Sequence, residues 1–241
     1  MQLPATVMSQ ELRALGRHRS TMQHLMARAH PLDLLGTQYR MHPEIARFSN
    51  ASFYHGAVLD ADELQTRRYS YTQDWLRHYS VIHFSGEESS SRQRFKICNP
   101  QEAQFVVRIA AYLRSKESLR RKSVCILSFY SGQVSCIEAL LARQGLLDVR
   151  VMTVDSAQGS EADVVILSMV RSGQSVGFLR DFQRLNVSLT RARHLQLVVG
   201  DTVTMTRSNV DNLANLVADA KDRRRYFDSF ELEHLLPELE E

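Results

Sequence analysis

Three short stretches hold the residues best suited to chemistry: Thr37-Gln38-Tyr39-Arg40-Met41-His42-Pro43-Glu44-Ile45, Thr153-Val154-Asp155-Ser156-Ala157-Gln158-Gly159-Ser160-Glu161, and Arg184-Leu185-Asn186-Val187-Ser188-Leu189-Thr190-Arg191-Ala192-Arg193. The chemistry in view is anion recognition. A guanidinium stays protonated, and its planar fork fits carboxylate or phosphate oxygens. Taken singly, each stretch also has a plain structural reading. Arg40 suits a surface ion pair, Asp155 and Ser156 suit a turn, and Arg191 suits a helix end.

Other chemistries are absent from the text of the chain. No G-x-x-x-x-G-K-[ST] phosphate loop occurs, and no glycine precedes a lysine. G-x-G-x-x-G and H-E-x-x-H are also missing. Cys98, Cys125 and Cys136 are too few and too scattered for a disulfide framework, and no Cys/His cluster suggests a metal site. Such sparse thiols fit a reducing compartment, cytoplasm or nucleus. No apolar run approaches the roughly 20 residues of a membrane helix, so no membrane contact is expected. The composition, 44% hydrophobic and 24% charged over 241 residues, is that of a globular protein. Charge is uneven. Tyr226 to Glu241 hold six acids and no Lys or Arg, which leaves 30 basic against 21 acidic residues over 1–225. A basic body favours polyanions.

The elements that must carry these stretches alternate in type from about residue 81. Val81–Phe84, Val124–Leu127, Val149–Met152, Val164–Leu167 and Leu195–Val199 are short apolar runs that predict buried strands. Between them, Asn99-Pro100 opens a helix with Ala103, Val106, Val107, Ala110 and Leu113 on one face. Ser131–Gln144 predicts a second helix ending near Gly145, Asp181–Arg193 a third and Val210–Asp222 a fourth. Continuous apolar strands between amphipathic helices predict an α/β fold, a mostly parallel sheet covered on both faces. Ligands of such sheets sit off the strands' carboxyl ends, here just after Leu127, Met152 and Val170.

In this order, the three stretches resemble motifs of the second RecA-like domain of superfamily 1 helicases of the Upf/senataxin type. Gln-Tyr-Arg-Met-His-Pro is a hallmark of that group. Thr153 to Glu161 resembles its motif V, Leu185 to Ala192 its motif VI, and Ser128-Phe129-Tyr130-Ser131-Gly132-Gln133 the motif usually written Thr-Pro-Tyr-x-x-Gln. Gln2-Leu3-Pro4-Ala5-Thr6-Val7 resembles the second half of motif III, so the chain is expected to begin inside a motif. The likeness covers roughly residues 1–205.

The resemblance implies a RecA-like layered fold without its own phosphate loop. It implies ATP with Mg2+ bound mainly by an N-terminal RecA-like domain, upstream or in trans, and single-stranded RNA or DNA as the other partner. Arg40 and Arg191 are then the arginine fingers. Tyr39 stacks on adenine, Glu161 accepts from the ribose hydroxyls, Gln2 reports on the γ-phosphate, and Gly159 allows close backbone approach or makes a turn. Thr153, with groups around Ser128 and Tyr130, meets nucleic-acid phosphates. His42 and Pro43 support the loop, and no second titratable group is expected beside His42.

Departures from the pattern are Ser128-Phe129 for Thr-Pro, Ala157 for a common Phe, and Ser160 and Ala162 for basic residues beside Glu161. They predict a weaker grip on nucleic acid near motif V. The expected organisation is one domain over 1–225, with 57–98 an irregular connection or insertion, and an acidic tail over 226–241. The leading expectation is the C-terminal motor half of an ATP-dependent helicase, inactive as an isolated chain. The alternative is a non-catalytic helicase-like module that binds nucleic acid or protein.

Overall fold

The computed structural model describes residues 3, 9–16, 19–31, 33, 35–65, 73–91, 96–173 and 175–239. Its strands are β1 (Thr37–Gln38), β2 (Leu59–Asp60), β3 (Tyr79–His83), β4 (Ser89–Ser91), β5 (Lys96–Cys98), β6 (Val124–Ser128), β7 (Arg150–Thr153), β8 (Ala162–Ser168), β9 (Ala192–Gly200) and β10 (Tyr226–Asp228). Its α-helices are α1 (Gln10–Ala14), α2 (Thr21–Ala27), α3 (Pro43–Tyr54), α4 (Asp62–Gln65), α5 (Pro100–Ser115), α6 (Glu117–Arg120), α7 (Ser131–Arg143), α8 (Phe182–Leu189), α9 (Thr202–Arg207), α10 (Asp211–Asp222) and α11 (Ser229–Leu232).

Six strands form one parallel sheet in the order β10-β3-β9-β8-β6-β7. Successive side chains of a strand point to opposite faces. Val165, Leu167 and Val198 therefore join Ile45, Phe48, Leu185, Leu213 and Leu216, from α3, α8 and α10, on one face. Val164, Ile166, Leu197 and Val199 join Val106, Ile109, Ile137 and Leu141, from α5 and α7, on the other. Covering both faces is why β8 and β9 need uninterrupted apolar runs. The expected α/β architecture is present. Among the described residues, no helix is long and apolar enough to cross a membrane.

Local signals set the helix starts. The Asn99 side chain accepts from Glu102 N at 2.9 Å, with Pro100 in the first turn of α5. The predicted stripe Ala103, Val106, Val107, Ala110 and Leu113 is fully buried. Asp181 caps α8 and Asp201 caps α9 through their carboxylates.

Three boundaries differ from expectation. The third helix ends at Leu189, not Arg193, because residues from Ala192 pair with β8. Residues 57–98 are no mere connection. Besides the strand expected near Val81–Phe84, which is β3 between β10 and β9, they bury Leu64, Trp75 and Leu76. The segment after 225 is no detached tail. β10 extends the sheet, and Leu232 and Leu236 are buried. The apolar residues there were hidden among acids. Arg108 also donates to the carbonyls of Glu233, Leu236 and Pro237.

Gly132, in the first turn of α7, lies against β5. A Cβ there would sit 2.6 Å from the Ile97 carbonyl oxygen. In an open helix, Gly→Ala stabilises by up to about 1 kcal/mol. Here, Gly132→Ala is expected to destabilise by about 1–3 kcal/mol through overpacking. Urea unfolding checks this, and equal or raised stability would refute the close packing.

Candidate functional site

β8 and β9 begin side by side, with Ala162 opposite Ala192. Glu161 precedes one strand and Arg191 the other, so both lie at the amino edge of the sheet. These two candidates therefore lie at the edge opposite the carboxyl ends, where ligand groups were expected. The physical cause is α8, which returns the chain from the carboxyl edge to the start of β9.

The loop carrying Arg40 is fixed by Gln38. Its Oε1 accepts from Arg40 N at 3.0 Å and Met41 N at 2.8 Å. Its Nε2 donates to Met41 O at 2.8 Å and Asp60 Oδ1 at 2.6 Å. His42 N donates to Arg193 O at 2.9 Å, docking the loop on β9. His42 Nδ1 caps α3 by accepting from Glu44 N at 3.2 Å. The resulting geometry brings Arg40, Arg191 and Arg193 toward one carboxylate, Glu161, among the described residues. Arg40 Nε donates to Glu161 Oε2 at 2.6 Å, and its Nη1 to Thr190 O at 3.1 Å. Arg193 bonds Glu161 Oε1 through Nε at 2.9 Å and also through Nη2. Arg150 donates to Glu161 O at 2.9 Å. Arg191 donates to Val187 O, Ser160 O and Thr190 Oγ1.

Charge follows from this packing. The hydrogen bonds of Arg193 and Arg40 hold the Glu161 carboxyl below its ordinary range. Burial, and then the neighbouring Arg40, pull Arg191 down to about 10, so it stays protonated at neutral pH. Two guanidiniums, Arg40 and Arg193, against one carboxylate leave positive charge on an open cleft of about 840 Å3, lined by Gln38, Tyr39, Arg40, Met41, Glu161, Arg193 and His194. Tyr39 is 64% exposed there, so it is no core aromatic.

The other sequence candidates fall elsewhere. Gln2 lies outside the described residues. Thr153 ends β7 at the carboxyl edge, where its Oγ1 donates to Ser156 Oγ at 3.0 Å and accepts from Ser156 N at 3.2 Å. Ser128 and Tyr130, around which groups were expected to meet phosphate, are themselves buried. Tyr130 Oη accepts from Phe178 N at 3.1 Å. Gly159 has φ +85°, a left-handed turn conformation that favours glycine. Ala157 and Ala162 are buried, so the motif V departures change the interior as well as the surface.

Sequence reasoning missed Arg193 and the partner of His42. Arg191-Ala192-Arg193 at a strand start was the available signal. The rings of His42 and His78 stack at 3.4 Å and 3°, so a second titratable group does stand beside His42. His78 comes from the turn before β3, and its Nδ1 lies 3.0 Å from His194 O.

Burial, and then His78, lower His42 to about 4. Burial also lowers His78. The unfolded chain therefore binds protons that the folded one rejects. This stability is present above about pH 6.5 and is lost as pH falls toward 4. His42→Asn retains a capping side chain but no ring to titrate. It is expected to lose less urea resistance than the parent between pH 7 and pH 5. Equal losses would refute the stacked pair as a source of the pH dependence.

Comparison with known proteins agrees with the motifs. A family described as an AAA domain matches residues 17–203. "Probable helicase MAGATAMA 3" of Arabidopsis thaliana is 32% identical and covers 94% of this chain, which spans 29% of that protein. "Helicase SEN1" of Saccharomyces cerevisiae is 30% identical over 92% of the chain, which spans 10% of it. "Regulator of nonsense transcripts 1 homolog" of Drosophila melanogaster is 30% identical over 91%, with 20% of its length spanned. With its parallel sheet and ordered motifs, the chain belongs to this AAA-domain family, among the C-terminal RecA-like domains of superfamily 1B helicases.

Proposed function

We propose that this domain presents Arg40 and Arg191 to the phosphates of ATP held mainly by another RecA-like domain, and forms part of a groove for single-stranded RNA or DNA. The observation that carries the reading is the positive amino-edge cleft, where Arg40 and Arg193, from separate segments, outnumber the single lining carboxylate. A polyphosphate supplies the charge that would balance them. Guanidiniums beside a transferring phosphoryl group stabilise the charge that develops on it. Tyr39, exposed on the same cleft, is available to stack on a base. Glu161 would meet ribose hydroxyls beside its ion pairs, and Gln2 would answer to the γ-phosphate.

Among the described residues no cluster of His, Cys, Asp or Glu could hold a metal ion. The reading assigns the Mg2+ of ATP to the other domain. Thr153, with backbone groups of the 128–130 turn, would contact phosphates of the strand without reading sequence. Binding would then be salt-sensitive. The cytoplasm or the nucleus would be its setting.

The test is ATP turnover and nucleotide binding by the protein that carries both RecA-like halves. Arg40→Ala and Arg191→Ala are each expected to cut turnover by about 10³-fold or more, with a far smaller effect on binding. The 241-residue chain alone is expected to show no Mg-dependent turnover. Parallel losses of binding and turnover would overturn the finger roles. Turnover near that of the parent protein would favour the non-catalytic binding module.

A further inference from the structure

In this arrangement both fingers are held by the protein itself. Arg40 spends Nε on Glu161 and Nη1 on Thr190 O. An anion entering the cleft must therefore compete with the Glu161 carboxylate for Arg40. The backbones cannot follow, because each is tied down. Gln38 fixes the Arg40 loop, Arg150 holds Glu161 O, and Arg193 lies in β9. The exchange is thus confined to side chains. Losing Arg40 would leave an isolated carboxylate unpaired. Here it does not, since Arg193 keeps its own bonds to Oε1 while Arg40 uses Oε2. The two arginines occupy different oxygens of one carboxylate, so one can leave while the other stays.

We propose that Arg193 is a positioning residue that acts through Glu161: it retains the carboxylate when Arg40 moves to phosphate, and so lowers the cost of releasing the finger. The inference rests on the proposed function, because it presumes that phosphate is what takes Arg40. Pairs this exposed are individually weak, which suits a contact that must exchange. The side chains of Arg40 and Glu161 are about one-third exposed.

The probe is tripolyphosphate, titrated by NMR into the 241-residue chain at low ionic strength. Loss of binding in Arg191→Ala tests the reading itself. Glu161→Gln, Arg193→Gln and the double variant then form a cycle. Glu161→Gln is expected to tighten binding about five-fold, and Arg193→Gln to weaken it by a similar factor, the upper end for an exposed ion pair. Glu161→Gln also removes a negative charge, so the double variant decides. If Arg193 acts through Glu161, Arg193→Gln costs less than about two-fold when residue 161 is already neutral. Arg193→Lys, which keeps a charge for Glu161, is expected to restore most of the affinity. An Arg193→Gln cost that is equal in both backgrounds would mean direct attraction to phosphate and would overturn the inference alone. No tripolyphosphate binding by any of these proteins, or binding untouched by Arg191→Ala, would overturn the reading and the inference together.

Discussion

The hydrogen bond from His42 N to Arg193 O is the contact on which the amino-edge site depends. It joins the loop that carries Arg40 to the strand that follows Arg191. The stacked rings of His42 and His78 lie beside it, and His78 reaches His194 O. These contacts bind two distant chain segments at adjacent residues of β9. Behind the loop, Arg223 bonds the Glu44 carboxylate at 2.6 Å and Asp219 at 2.9 Å, tying the start of α3 to the end of α10. Arg223 is nearly buried and would be costly without those carboxylates. Ile45 and Phe48 of α3 then enter the core. The guanidinium of Arg40 is placed by a hydrophobic face, a capped helix and a backbone bond acting in series.

The carboxyl edge is organised differently. Glu102 is buried and accepts from Ser168 Oγ at 2.5 Å and from Val170 N at 2.9 Å. Burial pushes its carboxyl up to about 7 despite those bonds. Gln133, the last residue of the Ser-Phe-Tyr-x-x-Gln motif, is fully buried. It donates to Ser168 Oγ and Asn99 O and accepts from Asn99 N. Val170 adopts φ +72°, a conformation unfavourable for a β-branched residue. Such polar atoms are tolerated inside because their partners are present. This motif therefore holds the end of β8 and the start of α5 together, and Ser128 and Tyr130 serve the same interior.

The motif V segment links the two edges. Thr153 closes β7 at the carboxyl edge, and Glu161 precedes β8 at the amino edge. Between them, Val154 and Ala157 are buried in the core, and Asp155 is held by Arg184 through both carboxylate oxygens. The segment crosses the sheet as packed chain, and Gly159 supplies its turn.

The sequence by itself determined the parallel α/β sheet, because strands buried on both faces must be apolar throughout, and the runs at Val124, Val164 and Leu195 are. It also determined the capped start of α5, since Asn99-Pro100 acts within one helical turn, and it placed the start of α8 at Asp181. The motifs marked Arg40, Glu161 and Arg191 one by one. Tertiary structure alone decided that they meet at the amino edge, that Arg193 shares Glu161 with Arg40, and that His42 stacks on His78. Those contacts join segments far apart in the chain, and no local periodicity encodes them. It also decided that Ser128 and Tyr130 face inward, and that β10 joins the sheet despite the acids around it. Burial is a property of the neighbours that cover a side chain, and those neighbours are set by packing across the whole domain.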